Sequence, residues 1–152
     1  LASIAALLRL LPERDPPPAL HEGLGVLIEH LDEIGLAPAL IVRFELAMLG
    51  ELGFGLELNR CAVTGAREEL SHVSPKSGKA VSRKAAEPYL DRLLALPRFL
   101  SEGQGANQPL PAEIAAGFAL TGHFLRRYLY EPRGLAEPPE RARLLELATK
   151  IH

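Results

Sequence analysis

The residues best placed to do chemistry fall in two matched spacings, Cys61-Ala62-Val63-Thr64 followed by Gly65, and Ser82-Arg83-Lys84-Ala85 preceded by Ser77-Gly78-Lys79-Ala80-Val81. Structural zinc is commonly held by two C-x-x-C turns, because tetrahedral coordination takes four thiolate or imidazole ligands, two from each turn. Cys61 and Thr64 keep the spacing of one turn, and Ser82 and Ala85 keep that of the other. Three of these four residues cannot ligate zinc, so the sequence predicts no metal and a hairpin held by packing of Val63, Ala80, Val81 and Ala85. Burying an alkyl side chain contributes about 1.5 to 3 kcal/mol, less for alanine.

Cations form the second chemical theme. Lys76, Lys79, Arg83 and Lys84 lie within residues 70–86, a stretch without one acidic side chain. Clustered cations free of carboxylates attract phosphates, and a hairpin tip can present them to a nucleic-acid backbone. A solvated turn has the same composition. His123, Arg126, Arg127 and Tyr130 recur at i, i+3, i+4 and i+7, on one helix face, with Arg133 just beyond. That stripe could hold phosphates while Tyr128 or Tyr130 stacks on an unpaired base. Cations near a helix C-terminus also stabilise the helix dipole, by roughly 0.3 to 1 kcal/mol each. Arg43 stands beside Leu40, Phe44 and Met48. A cation next to an apolar groove suits a peptide that ends in an aromatic residue and a free carboxylate. Pairing of Arg43 with Glu45 or Glu29 is the alternative.

Catalytic patterns are absent. Ser77-Gly78-Lys79 has the core of a phosphate-binding loop, but Val73 replaces its leading glycine and Ala80 its magnesium-binding hydroxyl. His21-Glu22 opens like a zinc-protease helix, yet Gly25 stands where the second histidine belongs. The histidines at 21, 30, 72, 123 and 152 show no ligand spacing, and Cys61 has no positioned base in sequence. We therefore expect no enzyme activity, no cofactor and no small-molecule substrate.

Composition is that of an ordinary globular chain, 152 residues with 47% hydrophobic and 24% charged side chains. One cysteine rules out an internal disulfide and suits a reducing, cytoplasmic setting. No apolar run approaches the roughly 18 residues of a membrane span. The net charge of −2 is unevenly spread: residues 1–70 carry 5 basic and 11 acidic side chains, and residues 71–152 carry 12 and 8. This polarity either offers an anionic partner the C-terminal half or reflects attraction between the halves.

The elements that must position these groups read as mainly α. Ile4, Leu7, Leu8 and Leu11 suggest the end of a helix stopped by Pro12. Asp15-Pro16 caps a second, whose stripe runs Leu20, Leu24, Leu27, Ile28, Leu31 and Ile34 to Gly35. Leu40, Ile41, Phe44, Met48 and Leu52 make a third, ended by Gly53. Residues 54–65 read as a loop without periodicity. Val73 and Val81 flank Pro75-Lys76-Ser77-Gly78 as a short hairpin, and Arg83 to Leu96 as helical turns broken by Pro88. After a flexible loop at 103–109, Pro111 to Tyr130 forms a long helix with Ile114, Phe118, Thr121, Leu125 and Leu129 inward. A last helix begins at Pro138-Pro139, with Leu144, Leu147, Ala148 and Ile151 on one face. The expected fold is a bundle of about five or six helices with a small β-hairpin, degenerate and zinc-ribbon-like, inserted over about 54–90.

The order of these weak motifs, Phe44-Glu45-Leu46, Leu52-Gly53-Phe54-Gly55, Cys61-x-x-Thr64-Gly65 and Gly78-x-x-x-Ser82-x-x-Ala85, resembles the C-terminal domain of RecO, a bacterial recombination mediator of DNA repair. The likeness runs from Leu11 to Leu147. It implies that the family's N-terminal OB-fold barrel is missing from a chain that starts at Leu1. It further implies a role in homologous recombination: exchanging single-stranded DNA-binding protein for recombinase and annealing strands, by binding alone. The implied partners are single-stranded DNA, a RecR-like protein and the acidic, phenylalanine-ended tail of single-stranded DNA-binding protein, in the bacterial cytoplasm at the nucleoid. The DNA contacts would fall to Lys76, Lys79, Arg83, Lys84, Arg126, Arg127 and Arg133, and the tail to Arg43, Leu40, Phe44 and Met48. The rival reading is an adaptor that contacts only proteins.

Overall fold

Between Pro38 and Leu52 the apolar side chains recur at helical spacing, and proline near the start of such a run forfeits only an N–H that has no partner in the first turn. The structure, a computed structural model, describes residues 37–101, 109–137, 139, 141, 142, 145 and 146. In it α1 spans Ala37–Glu51 and buries Ile41, Val42, Phe44, Met48 and Leu49. Gly53, at φ 93, ends the run as expected, and the Phe54 N–H returns to the Leu49 carbonyl at 2.7 Å.

The hairpin lies where the turn residues placed it. Strands β1 (Leu70–Val73) and β2 (Ala80–Ser82) pair antiparallel, Val73 opposite Ala80 and His72 opposite Val81, with a bulge before Leu70 meets Ser82. The turn closes on Gly78 at φ 70, where a Cβ would also stand 2.8 Å from the Leu56 side chain. Only glycine satisfies both demands. Helix α2 (Arg83–Ala86) follows, then a 3-10 stretch Glu87–Arg92 kinked at Tyr89. Beyond it, β3 (Leu94–Ala95) joins the free edge of β1. The sheet order is β2-β1-β3, so the expected hairpin is two strands of a three-stranded antiparallel sheet.

Residues 54–58 form a loop, as expected, but one joined to the sheet by a single bridge and with alternating burial. Leu52, Phe54, Leu56 and Leu58 turn inward while Gly53, Gly55, Glu57 and Asn59 face out, and Glu57 bridges β2 by donating to the Gly78 carbonyl and accepting from the Ala80 N–H. That period of two is visible in the sequence, diluted by glycines.

Helix α3 spans Pro111–Leu125 and starts with Glu113 accepting from the Leu110 N–H at 3.1 Å. It widens into a π turn, Arg126–Tyr130, and tightens into a 3-10 turn, Glu131–Arg133, before Gly134 at φ 66. All five residues expected to face inward are buried. Helices α1 and α3 enclose the main core with Val73 and Ala80 of the sheet. Three bounded α-helices and a small sheet fall among the described residues, which are thus a mixture of helix and sheet, against the five or six helices expected for the whole chain. The first two expected helices and the 103–109 loop, except Pro109, lie outside the described residues, as do Leu144, Leu147, Ala148 and Ile151 of the last.

One polar network crosses this core. Glu45, in the middle of α1, has 0% exposure. Its carboxylate accepts from Arg141 Nε at 2.7 Å and Nη2 at 3.0 Å, and from the Thr121 hydroxyl of α3 at 2.7 Å. Arg141 also donates to the Phe118 carbonyl at 2.8 Å and to Glu137 at 2.6 Å. Burial disfavours the charge on Arg141, but the hydrogen bonds and charges of Glu45 and Glu137 prevail and raise its pKa. Gly122 lets the guanidinium pass, since a Cβ there would lie 2.8 Å from Arg141 Nη1.

Removing one member of such a pair leaves the other buried and unpaired. Arg141→Met should therefore destabilise the fold by about 3 to 5 kcal/mol in denaturant unfolding, and Glu45→Met added to it should recover most of that loss. An unchanged unfolding midpoint for Arg141→Met would show that the network does not hold the fold.

Candidate functional site

The hairpin tip is shaped by local hydroxyl-to-backbone hydrogen bonds. Ser74 Oγ accepts from the N–H groups of Lys76 and Ser77 at 3.3 Å each, and the Gly78 N–H donates to the Ser74 carbonyl at 2.9 Å. The outer face of the tip is bound to the end of α3 and the π turn. Arg127 Nη1 donates to the carbonyls of Pro75 and Lys76, at 2.6 and 3.3 Å, and His123 Nε2 stands 3.1 Å from the Pro75 carbonyl. Aromatic rings support this junction from below. Phe54 stacks on Tyr128 at 4.7 Å with planes 4° apart, and Phe124 lies 6.1 Å further along. The Arg127 guanidinium sits 5.2 Å from the Tyr128 ring centre. The turn bearing exposed Lys76 thus lies against Arg127, although about fifty residues separate them in sequence, and exposed Lys79 follows just after that turn.

The other candidate cations are placed differently. Arg126 lies 3.6 Å from Glu137, and Arg133 donates to the Leu129 carbonyl at 3.1 Å, the helix-end role that its position also allowed. Arg83 and Lys84 are exposed on α2 and line a cleft of about 400 Å³ with Glu69, Glu87 and Leu90. Neither expected stacking tyrosine offers a free ring. Tyr128 is covered by Phe54, and Tyr130 is buried, its hydroxyl pushed up to about 12 by burial and then by the Glu45 charge.

Arg43 donates to the Phe99 carbonyl at 2.9 Å and lies 5.9 Å from that ring. The alternative pairing with Glu45 does not occur, because Glu45 is turned into the core toward Arg141; Glu29 lies outside the described residues. Phe44 and Met48 are core residues, so of the four expected at a partner surface, Arg43 and the half-buried Leu40 are the ones that reach it.

The two knuckle spacings do converge. The Thr64 N–H points at Cys61 Sγ, 3.4 Å away, and the Gly65 N–H donates to the Cys61 carbonyl at 2.9 Å. Across from it, Ser82 Oγ caps α2 by accepting from the Ala85 N–H at 3.3 Å. Where a metal would need four ligands there is a cluster of Cys61, Val81 and Ala86 against Leu70, Ala85 and Leu93. Thr64, Ser82 and Ala85 do not fit zinc. Of the residues expected to pack here, Val81 and Ala85 do, Ala80 joins the main core, and Val63 is 74% exposed at the tip of its turn. Burial pushes the Cys61 thiol up, but hydrogen bonds from the Thr64 side chain and the amides of Thr64, Ser82 and Val63 outweigh it and bring its pKa to about 6.

No cluster of His, Cys, Asp or Glu suited to a metal ion is found among the described residues. None of their helices is long and apolar enough to cross a membrane. Sequence reasoning missed the Glu45–Arg141 network and the exposed Tyr89. For Glu45, the signal was a carboxylate on the same helical face as Ile41 and Met48.

Two helices of 15 residues packed with a three-stranded antiparallel sheet, beside two turns of knuckle spacing, define a class of small helix-and-sheet domain. The chain belongs to the RecO family: the model for "Recombination protein O C terminal" matches residues 1–135. It is 57% identical over 149 residues to the DNA repair protein RecO of Beijerinckia indica, which covers 98% of this chain and 60% of that protein. The Methylorubrum populi protein of the same name is 55% identical over 98% of the chain and 62% of its own length. That of Chelativorans is 58% identical over 93% and 57%. The chain spans about 60% of the length of these curated relatives. No solved structure matches.

Two outcomes follow from the knuckle geometry. Mass spectrometry under native conditions should find the mass of the chain without stoichiometric zinc, and a chelator should leave the melting temperature unchanged; a zinc adduct would overturn the packing account. A thiol whose folded pKa is depressed contributes stability in full above its ordinary 9.0 and loses it as pH falls toward about 6. The stability gap between the chain and Cys61→Ala should therefore narrow over that interval, and a constant gap would refute a stabilised thiolate.

Proposed function

We propose that this chain serves DNA repair by homologous recombination, as a mediator domain that binds single-stranded DNA and proteins and carries out no covalent chemistry. The observation that carries this reading is the hairpin clamp: His123 and Arg127 hold the Pro75 carbonyl and so bring the turn that carries exposed Lys76 and Lys79 against exposed Arg127. Arg83 and Lys84, exposed on α2 beyond the other end of β2, and Arg126 and Arg133, after α3, are the further cations we assign to the strand. Relatives more than half identical over nearly the whole chain bear the name DNA repair protein RecO, which supports the same reading.

Within this proposal the domain works joined to an N-terminal OB-fold barrel, and the whole domain is a bundle of five or six helices around the 54–90 insertion. Strand annealing and recombinase loading are the steps it supports, in the bacterial cytoplasm at the nucleoid. Arg43 and Leu40, backed by Phe44 and Met48, form the surface we assign to the carboxylate-ended tail of single-stranded DNA-binding protein. A RecR-like protein is the remaining partner.

One set of interactions favours the adaptor reading, in which the domain binds RecR and the tail but no DNA. Arg126 faces Glu137, and Arg127 and Arg133 direct hydrogen bonds to carbonyls, so part of their charge is already engaged. Salt dependence separates the two. Binding of a fluorescent single-stranded oligonucleotide should weaken steeply with salt, and Lys76→Ala with Lys79→Ala should flatten the log–log slope by about 0.7 for each phosphate that is no longer neutralised. Capture of a peptide ending in Asp-Asp-Asp-Ile-Pro-Phe without any oligonucleotide binding would establish the adaptor instead.

A further inference from the structure

The chain has five phenylalanines, three tyrosines and no tryptophan, and every one of these rings lies among the described residues. Phe44, Phe99, Phe118, Phe124 and Tyr130 are buried. Phe54 and Tyr128 are half-buried and stacked on each other. Tyr89 alone presents a ring to solvent, at 55% exposure. It follows Pro88 at the kink of the 3-10 stretch, with φ −126 and ψ 21, and its neighbour Leu90 is 52% exposed. Leu90 in turn shares the α2 cleft with Arg83 and Lys84.

We propose that Tyr89 is a stacking platform for an unpaired base of a single strand whose phosphates are held by Arg83 and Lys84. This rests on the DNA-binding reading above and adds to it a basis for preferring single strands. A paired base within a duplex hides its faces, whereas an unpaired base offers a π-face to an exposed aromatic ring whatever its identity. From Lys79 to Arg92 the chain has four cations, Lys79, Arg83, Lys84 and Arg92, against two carboxylates, Glu87 and Asp91, while the cleft lining itself holds two of each, Arg83 and Lys84 with Glu69 and Glu87. Glu69 and Glu87 in the cleft lining repel phosphate, so the cations Arg83 and Lys84 are the lining groups that would hold the backbone, with Leu90 and the adjacent Tyr89 left to the uncharged base.

The test compares the 152-residue chain with Tyr89→Ala and Tyr89→Phe, by fluorescence anisotropy, on an oligothymidylate and on an abasic strand of equal length. Circular dichroism checks that each variant is folded. Tyr89→Ala should weaken oligothymidylate binding about tenfold, within the range base stacking supports, and leave the abasic strand unaffected, while Tyr89→Phe binds both like the parent. Equal losses on both strands would mean that Tyr89 acts through the backbone site and not by stacking, and would overturn the proposal. So would unchanged oligothymidylate binding by Tyr89→Ala when Lys84→Ala weakens it, an outcome that leaves the DNA-binding reading intact. Failure of the parent chain to bind either strand would defeat both.

Discussion

The architecture depends on one buried charge. Glu45 lies at the seam between α1 and α3, where the chain must either neutralise a carboxylate or surround it with donors, and it is surrounded. Desolvating an ion pair costs several kcal/mol per ion before any attraction is counted, so such a pair is tolerable only when its remaining hydrogen-bonding groups are matched. Here they are: Thr121, the Phe118 carbonyl and Glu137 complete the set, and no buried side-chain polar atom among the described residues lacks a partner. What the network gives is address more than strength. Apolar faces can slide over one another, but a guanidinium that must meet Glu45 and the Phe118 carbonyl together fixes the rotation of α1, the depth of α3 and the seat of the segment bearing Arg141.

The sheet is attached to that frame by a different logic. Its inner residues Val73 and Ala80 enter the main core, its tip is bonded to His123 and Arg127, and its far end has a core of its own around Cys61, Val81 and Ala86. The knuckle geometry persists because its turns are satisfied by backbone donors, which need a sulfur or a hydroxyl oxygen at 61 and 82 but no ion between them. Hydrophobic contact and capping together do locally what coordination does in a zinc-bound pair of turns.

Much of this could be read in the residues. The limits of α1, the hairpin turn at Pro75 to Gly78 and the inward stripe of α3 follow from helical period, glycine and proline, because those signals act within a few residues. The pairing of β3 with β1 was not legible: two residues carry no period, and their place is decided by a neighbour some twenty positions away. The same holds for the candidate surface. Lys76 and Arg127 are each conspicuous, yet their adjacency depends on a carbonyl, which no sequence pattern displays. Conversely Phe44 and Met48 read equally well as groove or as core, and only the packing of α1 on α3 decides between them. Tyr128 and Tyr130 misled for a related reason, since the composition of a helix face does not tell whether another ring already lies on it.

The π turn from Arg126 to Tyr130 has a consequence for what the end of α3 can hold. Within this wider turn Leu129 and Tyr130 are buried side by side while Arg126 and Arg127 both face outward. The two guanidiniums then part: Arg126 turns to Glu137, 3.6 Å away, and Arg127 to the carbonyls of Pro75 and Lys76. Adjacent residues at one helix end thus fasten two different parts of the chain, the hairpin and the segment that leads to Arg141.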